Sequence, residues 1–298
     1  VRITLTGATG FIGQRVVECL LTQGHVLTII TRRPHAGENP RYCACDLAAG
    51  EPPREALDGA HAVIHLAGEP VAQRWTEDVK RRIRESRVDG TRRLVSAIGK
   101  LERKPSVLIS ASAIGVYGDR GDEILTEASP PGRDFLAALA VDWEQEANRA
   151  REYGIRVVTP RIGVVLGRGG GALAKMLPAF RAGLGGRIGS GRQWISWVHM
   201  QDAVALILLG LSQENLNGPV NVTAPNPVTN AVFTRALADA LRRPAVIPVP
   251  SLALKILFGE MAEVLLGGAR VIPRAAMQAG YTFRFPELQP ALQHVVSP

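Results

Sequence analysis

Residues 3–16, reading ITLTGATGFIGQRV, constrain the fold more than any other stretch of the chain. They join an apolar strand to a helix through Gly7-x-x-Gly10-x-x-Gly13. Gly7 permits the tight turn, Gly10 lets a pyrophosphate approach the backbone, and Gly13 lets the helix pack on the strand. The helix N-terminus then offers free N–H groups and a positive dipole end to phosphate. Glycines alone are a weak signal. Between a strand and a helix they have the context that a dinucleotide-binding turn requires. Thr9, Phe11 and Ile12 lie among them and are expected in the same contact.

The alternation that begins there continues for about 160 residues. HVLTIITR, RYCACDL, AHAVIHLAG, PSVLISAS and IRVVTPRIGVVLG read as further strands. Long helices are expected over residues 76–99 and 134–153. The strands are apolar throughout rather than alternating, which implies a parallel sheet covered on both faces. After residue 165 the chain turns Gly-rich and carries Arg168, Lys175, Arg181, Arg187 and Arg192. WISWVHMQDAVALILLGL then returns to strand and helix, and the tail from Ser251 reads as an amphipathic helix followed by irregular chain. The expected fold class is α/β, a Rossmann-type doubly wound parallel sheet with a smaller, discontinuous C-terminal substrate lobe. The Rossmann domain would take residues 1–165, with 194–225 returning to it; the lobe would take 166–193 and 226–298.

The end of the second strand distinguishes cofactors. A carboxylate there accepts hydrogen bonds from the 2′-hydroxyl of NAD. This chain has Thr31, Arg32 and Arg33 instead. A guanidinium pairs with the extra phosphate of NADP, so NADP(H) is expected, held chiefly by Thr31 and Arg32. Asp46 after the third strand suits the adenine edge, and Leu66, Ala67 and Gly68 after the fourth suit the ribose. Ile162, Gly163 and Val164, closing the sixth strand, are expected on the same cofactor.

The net charge of +8 allows anionic partners, from nucleic acid to small metabolites. Aromatic residues make up only 5%, which argues against a stacking surface for single-stranded nucleic acid. The basic run 80–93 carries its charges on several sides of a helix, with Glu85 and Asp89 among them, and reads as a solvated face. Cys19, Cys43 and Cys45 make neither an even disulfide set nor a metal site. No signal peptide is visible, and no apolar run reaches the ~18 residues of a membrane span. A cytoplasmic protein with a small-molecule substrate, binding neither nucleic acid nor membrane, is expected.

The segments TGATGFIG, HLAGEP, RWTEDVKRRIRESRVDGT, LISASAIGVYGD, RIGVVLGRGGGALAKMLPAFRAGLGGRIGSGRQWISWVHMQD and the tail from Val246 span almost the whole chain. Together they resemble the extended or atypical short-chain dehydrogenase/reductases of the NAD-dependent epimerase type. The resemblance implies NADP binding and oxidoreductase or epimerase chemistry, without naming a substrate. It also implies a Ser after the fifth strand and a Tyr-x-x-x-Lys dyad on the next helix. Ser112 meets the first expectation, and Tyr117 is the Tyr nearest the expected crevice, so these two are the catalytic candidates. The dyad is missing. Counting back from Glu144 puts Leu136 and Ala140 at its positions, and a shift of one residue puts Phe135 and Leu139 there. Arg87 stands where relatives have Asn and is expected near the nicotinamide end. Glu69, Arg168, Arg192 and His199 are the substrate-binding candidates, the cations favouring an anionic metabolite or nucleotide sugar. The missing dyad keeps a second expectation open, a non-catalytic NADP(H) sensor. The long helices after strands four and five could also build a homodimer, by analogy.

Overall fold

The computed structural model describes residues 1–297. The strands in chain order are β1 (Arg2–Thr6), β2 (Val26–Thr31), β3 (Arg41–Ala44), β4 (Ala62–His65), β5 (Val107–Ser110), β6 (Ser112–Ala113), β7 (Ile124–Leu125), β8 (Arg156–Ile162), β9 (Val164–Leu166), β10 (Trp194–Ile195), β11 (Trp197–His199), β12 (Gly218–Val222), β13 (Val228–Thr229) and β14 (Arg270–Val271). The helices are α1 (Phe11–Thr22), α2 (Glu77–Arg84), α3 (Gly90–Gly99), α4 (Phe135–Asn148), α5 (Gly171–Arg181), α6 (Met200–Ser212), α7 (Asn230–Leu241), α8 (Ser251–Phe258), α9 (Ala262–Leu266), α10 (Arg274–Gln278) and α11 (Leu288–Val296).

Seven strands form the central sheet in the order β12-β8-β5-β4-β1-β2-β3, and β6 extends the pairing of β8. Every pairing in it is parallel. Successive residues of a strand point to opposite faces. Ile29, Ile64, Ile109 and Val158 accordingly bury themselves with α1 and α6, on Val16, Leu20, Ala203 and Ile207. Their neighbours Ile30, Val63, Leu108 and Val157 bury themselves on the other face, against Leu94 and Ile98 of α3 and Ala147 of α4. Two covered faces are why these strands read as unbroken apolar runs. The sheet matches the expected doubly wound α/β class.

Beyond the sheet lies a second packing unit. Trp197 of β11, Phe233 and Leu237 of α7, and Leu288 and Leu292 of α11 form its core. β9 pairs with β11, β10 with β13, and β14 with β7, three short ladders separate from the main sheet.

Three elements differ from the sequence reading. The helix expected over 76–99 is interrupted by a π-helical turn, Glu85–Asp89. The tail expected to be irregular ends in α11, whose Pro290 stands in the first turn, where the missing N–H costs nothing. The amphipathic helix expected from Ser251 breaks at Gly259 (φ +60°) into α8, a 3-10 turn and α9.

Candidate active site

The glycine turn has the geometry its sequence demands. Gly7 sits at φ +71°, and a Cβ there would lie 2.5 Å from the Leu66 carbonyl carbon. A Cβ on Gly13 would lie 2.1 Å from the Gly7 oxygen. The Gly10 N–H donates to that same oxygen at 3.0 Å, and Gly10 starts α1 with no side-chain cap. The first N–H groups of the helix, on Phe11 and Ile12, are therefore left for a ligand. Thr9 is exposed at the tip, and the Phe11 ring packs on Gly167, Gly170 and Gly171 of the loop that leads into α5. Ala67 donates its N–H to Thr6 Oγ1 at 3.3 Å, which brings the 66–68 backbone beside the turn.

Parallel register sets Thr6 beside Ile30, so Thr31 flanks Gly7. Arg32 and Arg33 are exposed there, and neither forms an ion pair among the described residues. Asp46, also exposed, accepts the Ala48 N–H in a tight turn. A backbone cradle closed to any side chain, an uncapped helix start and two free guanidinium groups fit a dinucleotide with an extra phosphate.

A cavity of about 1580 Å³ opens beyond the C-terminal ends of β4, β5 and β8. Leu66, Ser112 and Ile162 to Val164 form its floor, next to the cofactor turn. One wall is α4, with Phe135, Leu136, Leu139, Ala140 and Trp143 toward the cavity. Both registers of the expected dyad thus lie on the cavity wall, and none of the four residues titrates. The opposite wall comes from Leu173 and Met176 of α5, Phe233 of α7 and residues 263–269.

Ser112 is the one hydroxyl at the expected catalytic place. Its Oγ donates to Glu144 Oε1 at 2.6 Å. Arg161 grips both oxygens of Glu144, Nε to Oε1 and Nη2 to Oε2, each at 2.8 Å. The same guanidinium donates through Nη1 to the Tyr117 hydroxyl at 2.9 Å. Sequence reading missed Glu144 and Arg161 as site residues. The available signal was Arg161 itself, a cation near the C-terminal end of an apolar strand that must find a partner inside.

Tyr117 is not placed to act as a catalyst. Its ring is fully buried, and its hydroxyl donates to Asn221 Oδ1 at 2.7 Å and accepts from Arg161, away from the cavity. Burial pushes its hydroxyl above the usual phenol range, with Arg161 opposing. It anchors the far end of the Glu144–Arg161 pair.

Arg87 lines the cavity from the π-helical turn. Its Nη1 donates to the Glu69 carbonyl at 2.8 Å and its guanidinium lies 5.2 Å from the Trp143 ring centre. Among the described residues it has no carboxylate partner, and burial lowers its pKa to about 10. Glu69 contributes this carbonyl to Arg87 and takes Ser86 Oγ on its N–H, so its backbone shapes the floor loop.

The three remaining substrate candidates fall elsewhere. His199 caps α6, accepting the Gln201 N–H at 3.1 Å, and its other nitrogen meets His294 at 3.0 Å over the Phe285 ring. Burial, then the His294 charge, lowers its pKa to about 4, so it is a neutral structural group. Arg168 is turned away, donating to the His294 carbonyl. Arg192 is exposed outside the cavity lining. Their expected roles on substrate are corrected accordingly, and with them goes the cationic clamp that favoured an anion.

The basic run 80–93 is largely solvated, but Arg87 turns into the cavity and Arg93 donates to the Leu47 and Ala48 carbonyls. Arg84 pairs with Asp142, and Arg92 with Asp89 and Glu146. No group of three or more His, Cys, Asp or Glu that could hold a metal occurs among the described residues. Among the described residues no helix is long and apolar enough to cross a membrane.

Comparison with known proteins agrees with this geometry. The model of the NAD dependent epimerase/dehydratase family matches residues 3–223, and a domain of unknown function matches residues 249–295. The chain is 39% identical to the epimerase family protein SDR39U1 homolog, chloroplastic, of Arabidopsis thaliana, over 99% of this chain and 86% of that one. The crystal structure of human epimerase family protein SDR39U1 (isoform2) with NADPH superposes with a TM-score of 0.90 at 36% identity, over 99% of each chain. The nucleoside-diphosphate sugar epimerase from Corynebacterium glutamicum is similar at a TM-score of 0.81 and 33% identity, covering 99% of this chain and 58% of that one.

Proposed function

Because the chain belongs to the NAD dependent epimerase/dehydratase family, we propose that it is an NADP(H)-dependent oxidoreductase or epimerase of the extended short-chain dehydrogenase type, working without a Tyr-Lys dyad. The observation that carries this reading is the large cavity set directly against the cofactor turn, with Ser112 on its floor.

Gly7, Gly10 and Gly13 would admit the pyrophosphate, and the N–H groups of Phe11 and Ile12 would bind it. Thr31 and Arg32 would hold the 2′-phosphate, with Asp46 and residues 66–68 along the adenosine. Arg87 and residues 162–164 would flank the nicotinamide end. Bound NADP(H) supplies or accepts the hydride. Ser112 handles the oxygen that gains or loses a proton. Its own proton is already committed to Glu144, so toward the cavity Oγ is an acceptor for a substrate hydroxyl. As that hydroxyl transfers its proton to Oγ, the Ser112 proton passes to Glu144, and reduction runs the same path backwards. Arg161 holds the carboxylate in line. Leu136 and Ala140 exclude water from the face where a Tyr and a Lys would stand.

The apolar α4 face also favours a second reading, a non-catalytic NADP(H) sensor. One titration separates the two. NADPH is added while nicotinamide fluorescence reports binding; carbonyl metabolites are then supplied while absorbance at 340 nm reports turnover. Binding followed by NADPH loss, with turnover reduced roughly a hundredfold by Ser112→Ala at unchanged NADPH affinity, supports the enzyme. Tight binding without turnover across broad pools supports the sensor.

A further inference from the structure

The polar side chains of the cavity wall are nearly all in use. Ser196 Oγ donates to the Ala269 carbonyl and accepts the Val271 N–H. Asn230 Oδ1 accepts the Ile188 N–H, and Gln193 Nε2 donates to the Ile188 and Leu265 carbonyls. Trp194 donates to Asp122, and Asp134 caps α4 through the Ala137 N–H. The indole N–H of Trp143 is buried without a partner, and Arg87 has spare donors. Apart from Arg87, the charged residues of the lining are at least partly exposed: Arg120 pairs with Glu123 and Glu260 with Lys80, while Arg133 and Lys255 form no ion pair among the described residues. Between rim and floor the surface is Trp75, Leu139, Trp143, Met176, Phe233 and Leu265.

A sugar would bury several hydroxyls here without partners, at about 1–3 kcal/mol for each unpaired group. The cations of the lining are Arg87, Arg120, which is tied to Glu123, and the exposed Arg133 and Lys255, so a diphosphate inside would meet one guanidinium, Arg87, while Arg168 and Arg192 lie outside. The volume, about 1580 Å³, includes the space beside Leu66, Arg87 and residues 162–164 that the nicotinamide end would fill, and exceeds the roughly 300–1,000 Å³ of common small-molecule pockets. The segment that closes the cavity is apolar on its outside as well. Leu252, Ile256 and Leu257 of α8 are 67%, 64% and 63% exposed, while Lys255 of the same helix and Leu265 and Leu266 of α9 line the cavity. Past the charged residues of the mouth, an apolar molecule meets mainly apolar surface down to the floor.

We propose that this cavity takes a substrate with an extended apolar body, an alkyl, prenyl or aryl chain, bearing one carbonyl or alcohol at the end that meets Ser112. The proposal rests on the reductase reading for its reacting end, and names the substrate class that reading leaves open.

Three of the four tryptophans, Trp75, Trp143 and Trp194, line the cavity and report its occupation. The full chain saturated with NADP⁺ is titrated with methyl ketones from 2-pentanone to 2-tridecanone, and separately with UDP-glucose, while tryptophan emission is followed. The expected result is a Kd that falls roughly three- to fourfold per added methylene until the cavity is filled, with no saturable response to UDP-glucose. Leu136→Trp, which fills the wall, should move the optimum to shorter chains and leave NADPH affinity within about twofold, which excludes binding to the outer face of α8. UDP-glucose binding tighter than the longest ketone, or ketone affinity independent of chain length, overturns the proposal. Loss of NADPH binding in the unaltered protein would instead sink the cofactor reading. Chain-length-dependent binding with no fall in 340 nm absorbance when the same ketones are added with NADPH in place of NADP⁺ would sink the reductase reading alone.

Discussion

Single residues decide which cofactor the turn accepts and how the site responds to pH. Arg32 is an exposed guanidinium with no ion-pair partner among the described residues, beside Thr31. Arg32→Ala should weaken NADPH at least tenfold and NADH less than threefold, measured by nicotinamide fluorescence; equal losses would show that Arg32 does not read the 2′-phosphate. His65 lies behind the turn, bridging Thr6 Oγ1 at 2.6 Å and Thr91 Oγ1 at 3.0 Å. Burial, then the Arg87 charge, lowers its pKa to about 4. The unfolded chain takes up this proton near pH 6.5, the folded chain only near pH 4. Stability is therefore full above about pH 6.5 and declines as pH falls through that window. His65 should account for roughly 2 kcal/mol of the loss between pH 7 and pH 5, read by urea unfolding, and His65→Asn should remove that part of the difference. The glycines, Thr31, Arg32 and Ser112 were legible in the sequence because their chemistry is local. Glu144 was visible only as a spacing mark, because its meaning depends on Arg161, a strand away in the fold.

At the level of elements, legibility followed covering. The strands of the central sheet declared themselves because both faces are buried and every residue is apolar. The π-helical turn at 85–89 did not, since its residues would suit an ordinary helix. It matters nevertheless, because it carries Arg87 and sends Ser86 Oγ to the Glu69 N–H. Such turns recur at functional sites. The helix–strand contact at Gly13 is the tightest in the cofactor unit, at 2.1 Å for a hypothetical Cβ. Gly13→Ala should abolish measurable NADPH binding and lower Tm by several degrees, because backbone rather than a flexible side chain must give way. Unchanged binding would mean that α1 shifts freely against the turn. α8 illustrates the opposite limit. Its sequence suggested an amphipathic helix packed on a core, yet Leu252, Ile256 and Leu257 face outward, and periodicity cannot tell a core from the rim of a large cavity.

Across the whole molecule, carboxylates help tie the C-terminal segment to the unit that carries the central sheet: Glu127 accepts the N–H groups of Asn221 in β12 and of Ala275. Asp202 of α6 is fully buried and accepts from the Tyr281 hydroxyl at 2.8 Å and from the Arg284 and Phe285 N–H groups at 2.8 and 2.9 Å. Asp202→Ala leaves three donors unpaired and should destabilise the fold by about 3–5 kcal/mol in denaturant unfolding. Its effect on ketone binding should exceed its effect on NADPH binding, since the cavity needs residues 263–269 and the cofactor turn does not. A loss below about 1 kcal/mol would show that the tail is held by its other contacts.

That division has a consequence for how the protein is made. The cofactor turn is complete once the strand ending at His65 and the loop after it have left the ribosome. The cavity's far wall arrives some two hundred residues later, with α9 and the strand that follows it. A nascent chain thus presents its glycine turn long before the wall of its substrate chamber exists.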